Sequence, residues 1–315
     1  MKNFTSAKDA TDLAGLVQLA RDIKADPFKY RDAGKDKTMV LLFFNPSLRT
    51  RLSTEKAALN LGMQVISMNA DQGWTLEFED GAIMNAGSAE HVKEAAAVVS
   101  QYADIIGIRT FPGLKDREKD YSEQVIAAFK RYASAPIISL ESATRHPLQS
   151  LADVITIEEF KKKDRPKVVL SWAPHVRALP QAVPNSFVEW MKIANVDLVV
   201  TNPEGYELAD EFMEGVQLEY DQKKAFEGAD FVYAKNWSSY REYGQILNQD
   251  PAWTITQDKL VNWANDARFM HCLPVRRNVV VEDAVLDGPN SIVISQANNR
   301  TWAAQAVVKK VLEGL

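Results

Sequence analysis

Several large classes of protein are excluded by what this chain has little of. It holds one cysteine, Cys272. A lone cysteine cannot close an internal disulfide, so a reducing compartment, the cytoplasm, is the expected location. No apolar run approaches the ~20 residues that a membrane-crossing helix needs. The opening stretch "MKNFTSAKDATDL" lacks the apolar core of a signal peptide and reads as a capped helix. Positive charge is not in excess: 37 Lys and Arg stand against 42 Asp and Glu, a net charge of −5. No global field therefore favours nucleic acid or an anionic membrane, and neither is an expected partner. Glycine is missing where a nucleotide fold would need it. Neither "FFNPSLRTR" nor "SWAPHVRALP", the two strand-to-helix turns that could cradle a pyrophosphate, contains one, and there is no GxxxxGK[ST]. An NAD-dependent oxidoreductase fails on those absences.

What is present is a regular alternation of short β-rich apolar runs and longer amphipathic ones. The first half has strand-like runs at Thr38–Phe44, Met63–Asn69, Asp104–Thr110 and Ala135–Ser142. Helical patterns lie between them near Arg49–Leu61, Ala89–Gln101 and Ser122–Tyr132. The second half has runs at Lys167–Ala173, Val196–Asn202, Val216–Tyr220, Asp230–Asn236, Arg268–Pro274 and Ser291–Ala297. Continuous rather than alternating apolar strands predict parallel sheets covered on both faces. The alternation predicts right-handed βαβ units and an α/β fold of two domains, each a mostly parallel sheet flanked by helices. The expected domains are residues 1–150 and 151–298, with a final helix over 299–315. The boundary falls where "VITIEEFKKKDRPK" runs into a charged, proline-bearing connector.

Ligands in open α/β sheets bind beyond the carboxyl ends of strands. The residues just past these runs are unusually polar: "NPSLRTR", "NADQGW", "RTFP", "ESATRHPLQ", "APHVR", "AKNW", "HCLPVRR" and "QANNR". They carry three of the four histidines and the only cysteine, which points to a site between the domains. His91, in "AEHVKEAAAVVS", reads as an ordinary mid-helix residue. "SLRTR" places Ser47, Arg49 and Thr50 at a predicted helix start, where unpaired N–H groups and the positive dipole end attract an anion. Hydroxyls and a planar guanidinium suit phosphate oxygens. By composition alone the same residues could be a plain serine cap with exposed arginines. Arg109, His146 and Arg300 also follow strand-like runs, and convergent cations suit a dianion.

The set FxxxSxRTR, "HPLQ" (His146–Gln149) and "HCLP" (His271–Pro274), in this order over almost the whole chain, resembles the carbamoyltransferase family. The resemblance implies a first domain for carbamoyl phosphate, a second for the amine substrate, a C-terminal helix returning to the first domain, and a homotrimer. It implies that Ser47, the Leu48 N–H, Arg49 and Thr50 hold the phosphate. Arg109 would bridge phosphate and carbamoyl oxygen, His146 would donate to that oxygen, and Gln149 would accept from the carbamoyl NH2. Arg300 would add a further contact. No metal or other cofactor is implied. Donors preorganised at the oxygens where charge builds are what such a transfer needs. A non-catalytic relative kept for binding or assembly is the alternative of another class, and the intact phosphate set argues against it.

"HCLP" resembles the ornithine-type enzymes, where Cys272 and Leu273 would lie along the amine's chain; an isolated buried cysteine would otherwise be inert. "DFVYAKNW" departs from the free-ornithine pattern. Lys235 stands where an α-ammonium would be repelled, and acylation of the α-nitrogen removes that conflict. The chain is therefore most similar to the acylornithine branch, with Glu141 expected to accept from the acyl amide and His175 to contact the ligand. Trp74 resembles a residue that this branch supplies from the neighbouring subunit to the carbamoyl phosphate site. Arg276 and Lys235 offer cations to a succinyl carboxylate. Two departures from the acetyl enzymes favour succinyl: Ala89 stands where they carry a glutamate, and the stretch just after "HCLPVRR" reads "NVVVED", with Val280 and no lysine where they carry one. N-acetylornithine and then ornithine are the alternative substrates.

Overall fold

In the computed structural model, which describes residues 1–70, 74–264 and 266–315, the chain divides into two compact units. The first comprises Met1–Leu148 with Arg300–Leu315, and the second Gln149–Asn299.

The first unit is built on strands β1 (Thr38–Phe43), β2 (Gln64–Asn69), β3 (Leu76–Glu77), β4 (Glu90–His91), β5 (Ile105–Arg109) and β6 (Ile137–Glu141). Its helices are α1 (Leu13–Ala25), α2 (Arg49–Asn60), α3 (Val92–Tyr102), α4 (Arg117–Tyr121) and α5 (Gln124–Tyr132). The main sheet has the order β2-β1-β5-β6 with every pair parallel, and β3 and β4 form a small parallel pair apart from it. β1, β5 and β6 bury their runs almost completely. Gly107, mid-β5, gives the core room there: a Cβ would lie 2.7 Å from the Leu41 side chain, which would have to shift. A core of Val40, Leu42, Ala96, Ile106, Ile108 and Phe129 is covered by α3 and α5.

The second unit opens with α6 (Pro147–Phe160), whose first turn begins in the first unit. It continues through β7 (Lys167–Trp172), α7 (Ala182–Met191), β8 (Asp197–Thr201), α8 (Asp210–Met213), β9 (Gln217–Glu219), α9 (Gln222–Phe226), β10 (Phe231–Lys235), β11 (Arg268–Met270) and α10 (Asp283–Leu286). Its sheet is again wholly parallel, in the order β11-β10-β7-β8-β9. The last helix, α11 (Val293–Leu312), continues into the first unit, where Gln305 bonds Asn60 and the Pro27 carbonyl. The α/β architecture with two helix-flanked parallel sheets is thus the one expected from the alternation.

Three local expectations are corrected. Ser291–Ala297 is not a strand: Ser291 makes one isolated bridge to Phe269, and from Val293 the segment is the first turns of α11. Its β-branched run is overridden by a helical ladder that buries Gln296, Asn299 and Arg300 at one-turn spacings. β2 is not covered on both faces, because it is an edge strand with Gln64, Ile66, Met68 and Asn69 exposed. His91 is not mid-helix. It is the N-cap of α3, and its Nδ1 accepts from the Lys93 N–H at 3.2 Å.

Strand order sets where ligands can reach. In the first sheet the chain winds one way from β1 to β2 and the other way from β5 to β6. The switch point lies between β1 and β5, and a crevice opens beyond their carboxyl ends. In the second sheet the same reversal falls between β7 and β10.

Candidate active site

The loop leaving β1 is "NPSLRT". Helix α2 starts at Arg49 with Leu48 as N-cap, and no side chain caps it. The serine-cap reading is therefore not what the fold uses, and the helix start keeps its electropositive character for a ligand. Arg300, brought from α11, donates through Nη2 to Thr50 Oγ1 at 2.6 Å. Both residues are buried. Arg109, the last residue of β5, holds the base of the same loop: its Nη1 donates to the Asn45 and Pro46 carbonyls at 2.9 and 2.7 Å. Its Nε and Nη2 donate to Glu141 Oε2 at 3.1 and 3.0 Å, and its guanidinium stacks on Phe111. Glu141 ends β6, and the same Oε2 lies 3.6 Å from His146 Nε2. The fold thus brings Ser47, Leu48, Arg49, Thr50, Arg109, Glu141, His146 and Arg300 to one end of the first sheet. Glu141, expected to meet an acyl amide, has its carboxylate on Arg109 here.

Trp74 packs against the first unit's core, and its Nε1 donates to Glu90 Oε2 at 2.7 Å. The Ala89 N–H donates to the Thr75 carbonyl at 2.8 Å, so Ala89 lies against the residue that follows Trp74, at the start of the β3–β4 pair. The preceding residues 71–73, of the polar cluster "NADQGW", lie outside the described residues.

In the second unit, Gln149 donates from Nε2 to Asp153 Oδ1 at 2.8 Å. A carboxylate only accepts, so the amide must present its NH2 to Asp153 and turn its oxygen away. That oxygen is buried without a hydrogen-bond partner among the described residues. Asp153 Oδ1 also accepts from Gln296 Nε2 at 2.7 Å, and Gln296 Oε1 accepts from the His271 N–H at 2.9 Å. Asp153 and Gln296 escaped the sequence reading. The signal was the i,i+4 spacing of Gln149 and Asp153 in "QSLAD".

Past β11, the His271 ring accepts from the Leu273 N–H at 2.8 Å, Leu273 takes a left-handed φ of 55°, and its bond to Pro274 is cis. Cys272 is a buried free thiol in this turn. His175, past β7, accepts at Nε2 from Arg276 Nε at 3.2 Å. Burial lowers its imidazole pKa below the ordinary 6.5, and the charges of Lys235, Arg276 and Arg177 push it the same way, against a backbone bond that opposes them. Lys235 is the last residue of β10, so His175 and Lys235 flank the second switch point. Arg177 was not anticipated. Three cations thus lie about a neutral imidazole, which makes this end of the second sheet electropositive.

The sequence profile of the aspartate/ornithine carbamoyltransferase carbamoyl-P binding domain matches residues 2–159, and that of the Asp/Orn binding domain matches residues 180–311. The chain belongs to the aspartate/ornithine carbamoyltransferase family. Among its relatives is an N-succinylornithine carbamoyltransferase of Bacteroides thetaiotaomicron, 54% identical over 318 residues and covering 100% of both chains. An N-acetylornithine carbamoyltransferase of Xanthomonas campestris pv. campestris is 34% identical over 331 residues, covering 98% of this chain and 97% of the relative. The fold superposes with a TM-score of 0.93 on an N-acetyl-L-ornithine transcarbamylase in which one glutamate is replaced by alanine, complexed with carbamyl phosphate and N-succinyl-L-norvaline. That chain is 33% identical, with 99% of this chain and 100% of that one covered.

Proposed function

We propose that this protein transfers the carbamoyl group of carbamoyl phosphate to the δ-amine of N-succinyl-L-ornithine, giving N-succinyl-L-citrulline and phosphate in arginine biosynthesis. The observation that carries the reading is the uncapped start of α2 with Arg300 on Thr50, Arg109 on the preceding loop and His146 beside Glu141. Ser47, the Leu48 N–H, Arg49, Thr50 and Arg300 take the phosphate. Arg109 and His146 take the carbamoyl oxygen. Gln149, with its NH2 tied to Asp153, offers its oxygen to the carbamoyl NH2. The amine nitrogen attacks the carbamoyl carbon, charge builds on the oxygen that Arg109 and His146 face, and phosphate departs with the electron pair of the broken C–O bond. Donors gathered at both oxygens lower that barrier, with Arg109 first exchanging its bonds to Glu141 and the Asn45 and Pro46 carbonyls for the ligand. No protein group is assigned as the proton acceptor for the amine; the leaving phosphate can take that proton. A metal or cofactor has no role in these steps.

Lys235, Arg276 and His175 receive the acylornithine in the second unit, with Cys272 and Leu273 along its aliphatic chain. Ala89, small and neutral, leaves room for a succinyl carboxylate. The alanine mutant of the N-acetylornithine enzyme that holds N-succinyl-L-norvaline supports this use of an alanine. The N-succinylornithine relative at 54% identity supports succinyl over acetyl. In this reading Glu141, whose carboxylate rests on Arg109 here, accepts from the acyl amide after Arg109 exchanges that bond for carbamoyl phosphate.

The working form is a cytoplasmic homotrimer in which Trp74 serves the neighbouring subunit's site. Two features support an oligomer. β2 is an unpaired edge exposing Ile66 and Met68, and Leu48, Leu52 and Leu59 of the neighbouring α2 share one exposed face. No helix among the described residues is long and apolar enough to cross a membrane. Ureido-product formation from carbamoyl phosphate with N-succinylornithine, N-acetylornithine and ornithine in parallel tests the reading. Turnover of ornithine would overturn the Lys235 argument, and no turnover would restore the non-catalytic alternative.

A further inference from the structure

Glu123 has no place in the reaction as described, yet it sits in an unusual state. It is the N-cap of α5 in the left-handed region, with φ 53° and ψ 38°. For a residue with a Cβ that conformation is strained, and something must hold it. What holds it is the turn between Glu141 and His146. Glu123 Oε1 accepts from the Ser142 hydroxyl at 2.7 Å, from the Thr144 N–H at 2.8 Å and from the Thr144 hydroxyl at short range. The turn is closed by the Ser142 N–H on the Arg145 carbonyl at 2.7 Å. The Ser142 oxygen accepts from the Arg145 N–H at 3.1 Å, and the Thr144 oxygen accepts from Arg145 Nη1 at 3.1 Å. Each hydroxyl has one proton, and giving it to a carboxylate while accepting from Arg145 fixes both rotors. Ser142 and Thr144 are buried. The second oxygen, Oε2, is buried without a hydrogen-bond partner among the described residues. A strained backbone and an unmet carboxylate oxygen are costs that the fold keeps at this one turn.

We propose that Glu123 is a positioning residue for carbamoyl transfer: its carboxylate clamps the Ser142–Arg145 turn and thereby sets the placement of Glu141 on one side and His146 on the other. The proposal rests on the reading that His146 donates to the carbamoyl oxygen. That bond strengthens as charge builds in the transition state, so loss of the clamp lowers kcat and leaves ground-state binding of carbamoyl phosphate nearly intact.

The test separates clamp from strain. Glu123→Gly removes the carboxylate and relieves the backbone, since glycine takes a positive φ at no steric cost. Glu123→Ala removes the carboxylate and keeps the strain. Both are expected to lower kcat about 10- to 100-fold, the usual effect of losing a group that orients an active-site ligand, with KM for carbamoyl phosphate within about threefold. Glu123→Gln keeps one acceptor and restores part of kcat. Glu123→Gly is expected to melt above Glu123→Ala. Unchanged kcat in a folded Glu123→Gly enzyme overturns the proposal. Where these variants fail to fold, Thr144→Val cuts one clamp bond and leaves Glu123 in place; it is expected to lower kcat several-fold, and an unchanged kcat overturns the proposal.

His146→Asn in the same assay separates this idea from the one beneath it. Loss of kcat there without loss in Glu123→Gly sinks the clamp alone, whereas full activity in His146→Asn sinks the His146 reading. In either the latter case or that of an inactive wild type, NMR of 13C-histidine-labelled protein still decides. The His146 ring signal is expected to shift in Glu123→Gly while that of His91 stays fixed, and an unshifted His146 signal overturns the clamp.

Discussion

Arg276 and Arg300 divide the account at the scale of single residues. Arg276 bonds the neutral His175 in the second unit, and Arg300 bonds Thr50 in the first. Arg276→Ala is expected to raise KM for N-succinylornithine about 10- to 100-fold, the worth of a charge-assisted bond, with KM for carbamoyl phosphate within about twofold. Steady-state kinetics with each substrate varied checks it, and equal losses for both substrates would remove the role of Arg276. Arg300→Gln should do the reverse, weakening carbamoyl phosphate by a similar factor and leaving the amine nearly unaffected. Most of these side chains were legible because each directly follows a strand-like run. Asp153 was not, because its i,i+4 spacing from Gln149 is too common on helices to mark a partner, and its bond to Gln296 spans more than a hundred positions. Glu123 was not, because its grip on residues 142–144 spans some twenty positions and depends on a left-handed backbone that its residue type does not announce.

At the scale of elements, parallel strands buried on both faces were plain in the sequence as continuous apolar runs. Ser291–Ala297 misled because short β-branched runs fit strand or helix alike, and only the packing of Gln296 and Asn299 decides between them. The small β3–β4 pair, two residues per strand, is below what any periodicity can reveal, yet beside it Ala89 bonds Thr75 and Trp74 bonds Glu90. Ala89→Glu is expected to shift preference from the succinylated toward the acetylated amine, because a second carboxylate would face the succinyl one. An unchanged ratio of kcat/KM values would discredit the part given to Ala89. The helical turn Lys259–Trp263 carries a different consequence. Lys259 Nζ is buried on Gln222 Oε1 at 2.6 Å and the Thr254 carbonyl at 2.8 Å, and burial lowers its pKa from 10.5 to about 8. Between about 8 and 10.5 the unfolded chain therefore holds more proton than the folded one, and stability rises with pH across that window. Denaturant unfolding at pH 8 and pH 10 should show this rise in the wild type, and it should shrink in Lys259→Gln.

At the scale of the whole molecule, the two parallel sheets each reverse their winding once. The residues that the sequence places after strands gather at those two reversals: Ser47–Thr50 and Arg109 at one, His175 and Lys235 at the other. That is why a chain of unremarkable composition could be read so far from its strand ends. The exposed edge of β2 and the Leu48, Leu52 and Leu59 face of α2 lead to a further expectation. The wild type should sediment as a species of three chains, and Leu52→Glu should shift it to smaller ones. A wild-type monomer would leave Trp74 without its proposed role. The reaction itself should quicken as pH rises above neutral, since the attacking amine, like a lysine side chain with a pKa of about 10.4, must first lose its proton.

The most direct measurement is the rate of ureido-product formation from carbamoyl phosphate with N-succinylornithine, N-acetylornithine and ornithine offered separately. Turnover of N-succinylornithine is expected, with a much smaller rate for N-acetylornithine and none for ornithine. A preference for N-acetylornithine or for free ornithine would contradict it.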